Sequence, residues 1–76
     1  MVYTDKIHLV SDSINELHEF ANLIELKKYY YHGFKKEHPH YDLTNNEILN
    51  KAINNGAIIK NSKEILLISK KSKLNK

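Results

Sequence analysis

The stretch that decides the fold runs from residue 2 to residue 25, VYTDKIHLVSDSINELHEFANLIE. Its apolar spacing changes along the way from every second residue to about every 3.6 residues, the signature of a strand passing into a helix. Over residues 2–10, Ile7 and Leu9 share a phase with Tyr3 and Asp5, while Thr4, Lys6, His8 and Val10 take the opposite phase. A strand is therefore expected across 2–10, with His8 held off the Ile7/Leu9 face. Ser13 and Glu16 then have the spacing of a capping box, in which each side chain satisfies a free amide of the first helical turn. Ile14, Leu17, Phe20, Ala21 and Ile24 continue a helical stripe to about residue 25. His18 falls at the edge of that stripe.

Downstream, LKKYYYHGFKKEHPHYDL (26–43) combines three β-prone tyrosines with breakers at Gly33 and Pro39. A short strand at Tyr29–Tyr31 and a long loop are expected there, and long ordered loops commonly carry function. Thr44 and Glu47 form a second capping-box pattern, Ile48, Leu49, Ala52 and Ile53 an apolar face, and Gly56 a stop. Residues 57–60 and 64–69 read as two strands joined by a turn at Asn61-Ser62. The unbroken Ile65–Ile68 run suggests a strand buried on both faces or covered by another subunit. The resulting order is β-α-(β)-α-β-β. This is an α/β or α+β domain over residues 1–69, two helices on a small sheet of three to four strands, followed by a basic tail at 70–76 expected to be disordered.

Composition narrows the function. A chain of 76 residues makes one small domain that buries only about 60% of its unfolded surface. With no cysteine, disulfides, thiolate zinc sites and a cysteine nucleophile are excluded. No apolar run approaches the roughly 18 residues of a membrane span, and the N-terminal residues do not resemble a signal peptide, so a cytoplasmic protein is expected. The net charge is +3, but four of the twelve lysines lie in the last seven residues. Without them eight lysines face nine acids, so nucleic acid is expected to be held only weakly, through the tail. There is no arginine, and thus no bidentate fork for phosphate.

Five histidines remain to be explained. His38-Pro39-His40 has H-x-H spacing, and His8, His18 or Asp42 are candidates for a third metal ligand. Such spacing specifies little, so two exposed loop histidines are the preferred reading, and neither a metal nor a cofactor is expected. His8 and His40, oriented by Asp12 or Asp42, have the chemistry of an acid–base pair acting on a phosphodiester. No nucleophile or strict paired motif accompanies them, so no residue is assigned a catalytic role. Asp12 and Asp42 also stand just ahead of helix starts, where acids complement the helix dipole.

The pieces HLVSD (8–12), ELHEFA (16–21), HYDLT (40–44) and KAINNGA (51–57) together resemble a family of short bacterial and phage proteins known only as a domain of unknown function. The resemblance implies that His8, Asp12, Glu16, His18, His40, Tyr41 and Asp42 are the family's shared polar positions. By looser analogy, tiny phage proteins often sequester nucleotide signals.

The expectation that results is a phage-type, homo-oligomeric protein holding an anionic, nucleotide-like ligand in a pocket of His8, Asp12, His18, His40, Tyr41 and Asp42. Tyr41, or one of Tyr29–Tyr31, would stack on the base, and His8, His40 and Lys51 or Lys36 would meet phosphate or ribose. Asp12 and Asp42 would orient histidines or accept from ligand hydroxyls. Two alternatives stand beside it: a small histidine-based or metal-assisted phosphodiesterase or nuclease, and a protein–protein adaptor working through Ile65–Ile68.

Overall fold

The computed structural model describes residues 1–32 and 39–74. Within them, β1 (Val2–Thr4) and β2 (His8–Ser11) form an antiparallel hairpin. β3 (Tyr31–His32) pairs antiparallel with β4 (His40–Asp42), β4 pairs antiparallel with β2, and β5 (Ile58–Ile59) runs parallel to β1. The spatial order is β3-β4-β2-β1-β5, a five-stranded mixed sheet. With helices α1 (Ile14–Leu23), α2 (Asn46–Asn54) and α3 (Ser62–Leu74) it makes an α+β fold.

The expected strand over 2–10 is in fact this hairpin, because Asp5 turns the chain. Its Oδ1 accepts the amides of Ile7 (3.0 Å) and His8 (2.7 Å), an Asx turn that competes with the strand ladder. Thr4 supports the bend, its hydroxyl accepting from the Lys6 amide and donating to the His8 carbonyl, with Lys6 at φ 80. Ile7, expected beside Leu9 in the core, therefore sits in the turn and is 62% exposed. Tyrosines 29 and 30 belong to a 3-10 turn (Lys28–Tyr30), leaving only Tyr31 and His32 to the strand.

α1 starts as its sequence indicates, with the Ser13 hydroxyl accepting from the Glu16 amide. α2 starts one residue later than expected. Asn45, rather than Thr44, is the cap, and its Oδ1 accepts from Ile48 at 2.9 Å. The largest difference lies at the end of the chain, where residues expected as a strand (64–69) are helical. Asn61 and Glu64 account for this: Asn61 Oδ1 accepts the Glu64 amide at 2.9 Å, and Asn61 Nδ2 donates back to the Glu64 carboxylate at 3.1 Å. That reciprocal cap starts α3, and the Ile65–Ile68 run is wrapped around a helix with Ile65 in and Leu66 and Leu67 out. The helix continues past the expected 69/70 boundary through Lys70 and Lys71 to Leu74. Buried hydroxyls hold it down. Ser69 donates to the Pro39 carbonyl at 2.6 Å, and Ser72 donates to the Ser69 carbonyl at 2.7 Å.

The strand pairing gives the sheet two different faces. On one, Val2, Leu9, Tyr31 and Tyr41 pack under Leu17 and Ala21 of α1, Ile24 at its C-terminal cap and Ala52 of α2, forming the main core. Burying each large side chain here contributes about 1.5–3 kcal/mol. On the other, α3 covers only part of the surface, with Ile65 and Ser69 over Val10. Both sheet-side helices end in the same way. Ala57 and Gly56 donate to the Ala52 and Ile53 carbonyls, and Leu26 and Glu25 donate to the Ala21 and Asn22 carbonyls. Gly56 adopts φ 104 without a side chain to strain, whereas Glu25 must adopt φ 62 with one.

Two stability measurements test these ends. Asn61→Ala should remove the α3 cap, lowering unfolding free energy in urea by about 0.5–2 kcal/mol and reducing helical circular dichroism. No change would mean that the cap does not hold the helix. Glu25→Gly should raise stability by up to about 1 kcal/mol, since its ion pair with Lys51 (3.7 Å) is exposed and contributes little.

Candidate functional site

Strand alternation places His40 and Asp42 on one face of β4 and Tyr41 on the other. Register brings in the neighbours: His8 of β2 lies opposite Asp42, and His32 of β3 lies opposite His40. Three imidazoles and a carboxylate thus gather on the face that α3 only partly covers. The His8 and His40 rings meet edge to face with centroids 5.1 Å apart, and His32 stacks on His40 at 5.4 Å. Asp42 lies between two rings, with Oδ2 2.8 Å from His32 Nε2 and Oδ1 3.4 Å from His40 Nε2. The ligating atoms of His8, His40 and Asp42 all fall within 4.8 Å of one another, so among the described residues these three are placed to share an ion.

Asp5 sets the orientation of His8. Its Oδ2 lies 3.1 Å from His8 Nδ1 and also accepts from the Ser62 hydroxyl at 3.0 Å. Burial works to raise the Asp5 pKa, but hydrogen bonds from the His8 ring, the His8 and Ile7 amides and Ser62 outweigh it and hold the carboxyl at about 2. A carboxylate can only accept, so Nδ1 is the donor to Asp5 and Nε2 is the ring atom of His8 left to meet a ligand. Beside these rings a cavity of about 240 Å³ opens between the sheet and α3. Its apolar floor is Val10, Ile65 and Leu66, and Asp5, His8 and His40 supply its polar wall.

The six residues expected to form one pocket divide into separate groups. His8, His40 and Asp42 come together. His18 and Tyr41 come together on the opposite face, where His18 Nδ1 and the Tyr41 hydroxyl are 2.7 Å apart and the His18 ring packs edge-on to Tyr31. Burial, and then the charge of Lys28, lowers the His18 pKa, while burial and then Tyr31 raise that of Tyr41, so both rings stay neutral and satisfied within the core layer. Asp12 lies beyond the far end of β2, exposed and 3.5 Å from the Met1 ammonium, which also pairs with Glu16. Lys51 is engaged with Glu25, and Tyr29 and Tyr30 hydrogen-bond to each other. His38 and Lys36 lie outside the described residues.

Asp5 and His32 are the two site residues that the sequence reading missed. For Asp5 the signal was available, since Thr-Asp-Lys is turn-forming and Asp5 stands three residues before His8. For His32 nothing local marks it, because its place depends on the register of a two-residue strand.

A model of proteins of unknown function, DUF4031, matches residues 3–72. The chain belongs to the DUF4031 family. Every residue of the histidine face and its Asp5 support lies inside the matched span, so the site belongs to the DUF4031 domain itself. No curated protein and no solved structure matches the chain. Among the described residues, no helix of this DUF4031 protein is long and apolar enough to cross a membrane.

Asp5 gives the protein a distinctive acid profile. Its folded pKa is below its ordinary 3.8, so its stabilisation is complete above about pH 4 and is lost as pH falls through about 2. Urea unfolding between pH 5 and 2 should show the native protein losing about 2 kcal/mol more than Asp5→Asn, which lacks the titrating group. Parallel curves would remove Asp5 from its central position.

Proposed function

We propose that this DUF4031 protein binds a small phosphate-bearing ligand of the nucleotide class on the His8/His32/His40 face and holds it without cleaving it. The observation that carries the reading is the convergence of three imidazoles, two of which, His8 and His40, line a cavity with an apolar floor. The His40 ring, which lines the cavity, donates to a phosphate or ribose oxygen, and the first turn of α3, which borders the cavity at Ser62, turns the positive end of its dipole toward an anion. Val10, Ile65 and Leu66 take the apolar contact first given to Tyr41, whose ring belongs to the other face. Holding rather than cleaving fits a sequestering role of the kind small phage proteins perform.

The second reading, a phosphodiesterase, has one observation of its own. Asp5 and His8 form a carboxylate–imidazole dyad with a second histidine ring 5.1 Å away, the parts of a general base and a general acid. Self-association is proposed through α3, whose Leu66 and Leu67 are exposed, and a cytoplasmic location belongs to the same reading.

Incubation of the purified protein with mono-, di- and cyclic nucleotides, followed by native mass spectrometry and chromatography, separates these readings. The expected outcome is retained, unaltered nucleotide, with His40→Ala raising Kd by about tenfold or more, the loss of roughly one hydrogen bond to a charged group. Appearance of product would move the protein to the phosphodiesterase reading. Absence of any retained nucleotide would overturn the binding proposal.

A further inference from the structure

The histidine face contains two carboxylates, Asp5 and Asp42, among its three rings. A bare phosphate approaching it meets their negative charge, and no arginine exists in the chain to offset it. What such a donor set attracts directly is a cation. We infer that His8, His40 and Asp42 bind one divalent transition-metal ion of the zinc type, and that the phosphate of the ligand proposed above reaches the protein through it.

Three features support the site. The first is distance. Around zinc, with bonds of about 2.0–2.2 Å, neighbouring ligand atoms stand roughly 3.3–3.5 Å apart. His40 Nε2 and Asp42 Oδ1 are already 3.4 Å apart, and the whole donor set spans no more than 4.8 Å, so closure needs side-chain rotations of about 1 Å. The second is outer support. Metal-binding histidines and carboxylates are ordinarily held by a further hydrogen bond that fixes their orientation. Asp5 does this for His8 through Nδ1, and His32 does it for Asp42 through Oδ2, so that His8 Nε2 and Asp42 Oδ1 are the donor atoms left for an ion. The third is donor chemistry. Two imidazoles and one carboxylate select borderline transition metals over magnesium or calcium, which prefer an all-oxygen shell. Three protein ligands leave at least one coordination position open toward the cavity, where a phosphate oxygen fits.

The metal inference rests on the site geometry, and only its link to phosphate rests on the binding proposal, so the two are tested separately. Cobalt(II) replaces zinc in such sites and reports its geometry through visible d–d absorption. Titration of the metal-free protein with cobalt(II) alone, and with zinc by calorimetry, should saturate at one ion per chain. His8→Ala and Asp42→Ala should each weaken binding by at least about tenfold, Asp5→Asn by about 10–100-fold, and His18→Ala not at all. Circular dichroism confirms which variants are folded, and Asp42, half-exposed, is the substitution best tolerated. Binding that does not saturate, or that survives both His8→Ala and Asp42→Ala, would falsify the metal site. Nucleotide binding is then compared with zinc present and after chelation. Binding lost on chelation supports the link, equal binding overturns it while leaving the nucleotide proposal intact, and metal binding without nucleotide binding removes only that proposal.

Discussion

Four hydrogen-bonding groups meet on the Asp5 carboxylate: the amides of Ile7 and His8, the His8 ring and the Ser62 hydroxyl. They come from the hairpin turn, from a site residue and from the start of the last helix, so one side chain ties together three levels of the structure. Its burial is unfavourable by itself, and only the full set of donors makes an ionised carboxyl stable there. The turn it forms sends β2 back along β1, which sets the phase of Leu9 and Val10 and so assigns each face of the sheet. The same oxygen that orients His8 also fixes the first residue of α3, bringing the helix across Val10 beside His8 and His40.

The sheet's two faces divide the labour of a very small protein. One face is committed to the core, and polar groups are used there too: His18 of α1 and Tyr41 of β4 satisfy each other between helix and sheet. Among the described residues the other face is covered by Ile65 and Ser69 of α3, with His40 buried and His8 and His32 half-exposed. Burying hydrogen-bonded serines against Pro39 anchors α3 next to β4 without covering the site. The main core and the histidine face thus lie on opposite sides of strands only two to four residues long.

Much of this was legible in the residues. The switch in apolar period at Ser11–Ser13 gives β2 and α1, and Gly56 marks the end of α2. Period-two alternation separates Tyr41 from His40 and Asp42, so the division of the expected pocket was already implied by residues 40–42. The strand assigned to 64–69 failed because four consecutive aliphatic residues fit a buried strand as well as a helix, and the deciding signal, Asn61 with Glu64, precedes them. The hairpin was missed because one in-phase Asp looks like part of a strand until its side chain is seen capturing two amides. The approach of His8 to Asp42 and of His32 to His40 depends on long-range register, which no local pattern specifies.

The sheet's borders have a consequence for how molecules of this protein meet. Among the described residues, both outermost strands, β3 and β5, are only two residues long. A passing strand finds almost no ladder to extend at either border, so open-ended fibre growth by backbone pairing is disfavoured despite the abundance of isoleucine and tyrosine. Any contact between copies would then have to be made by side-chain surfaces, whose shape limits how many can join.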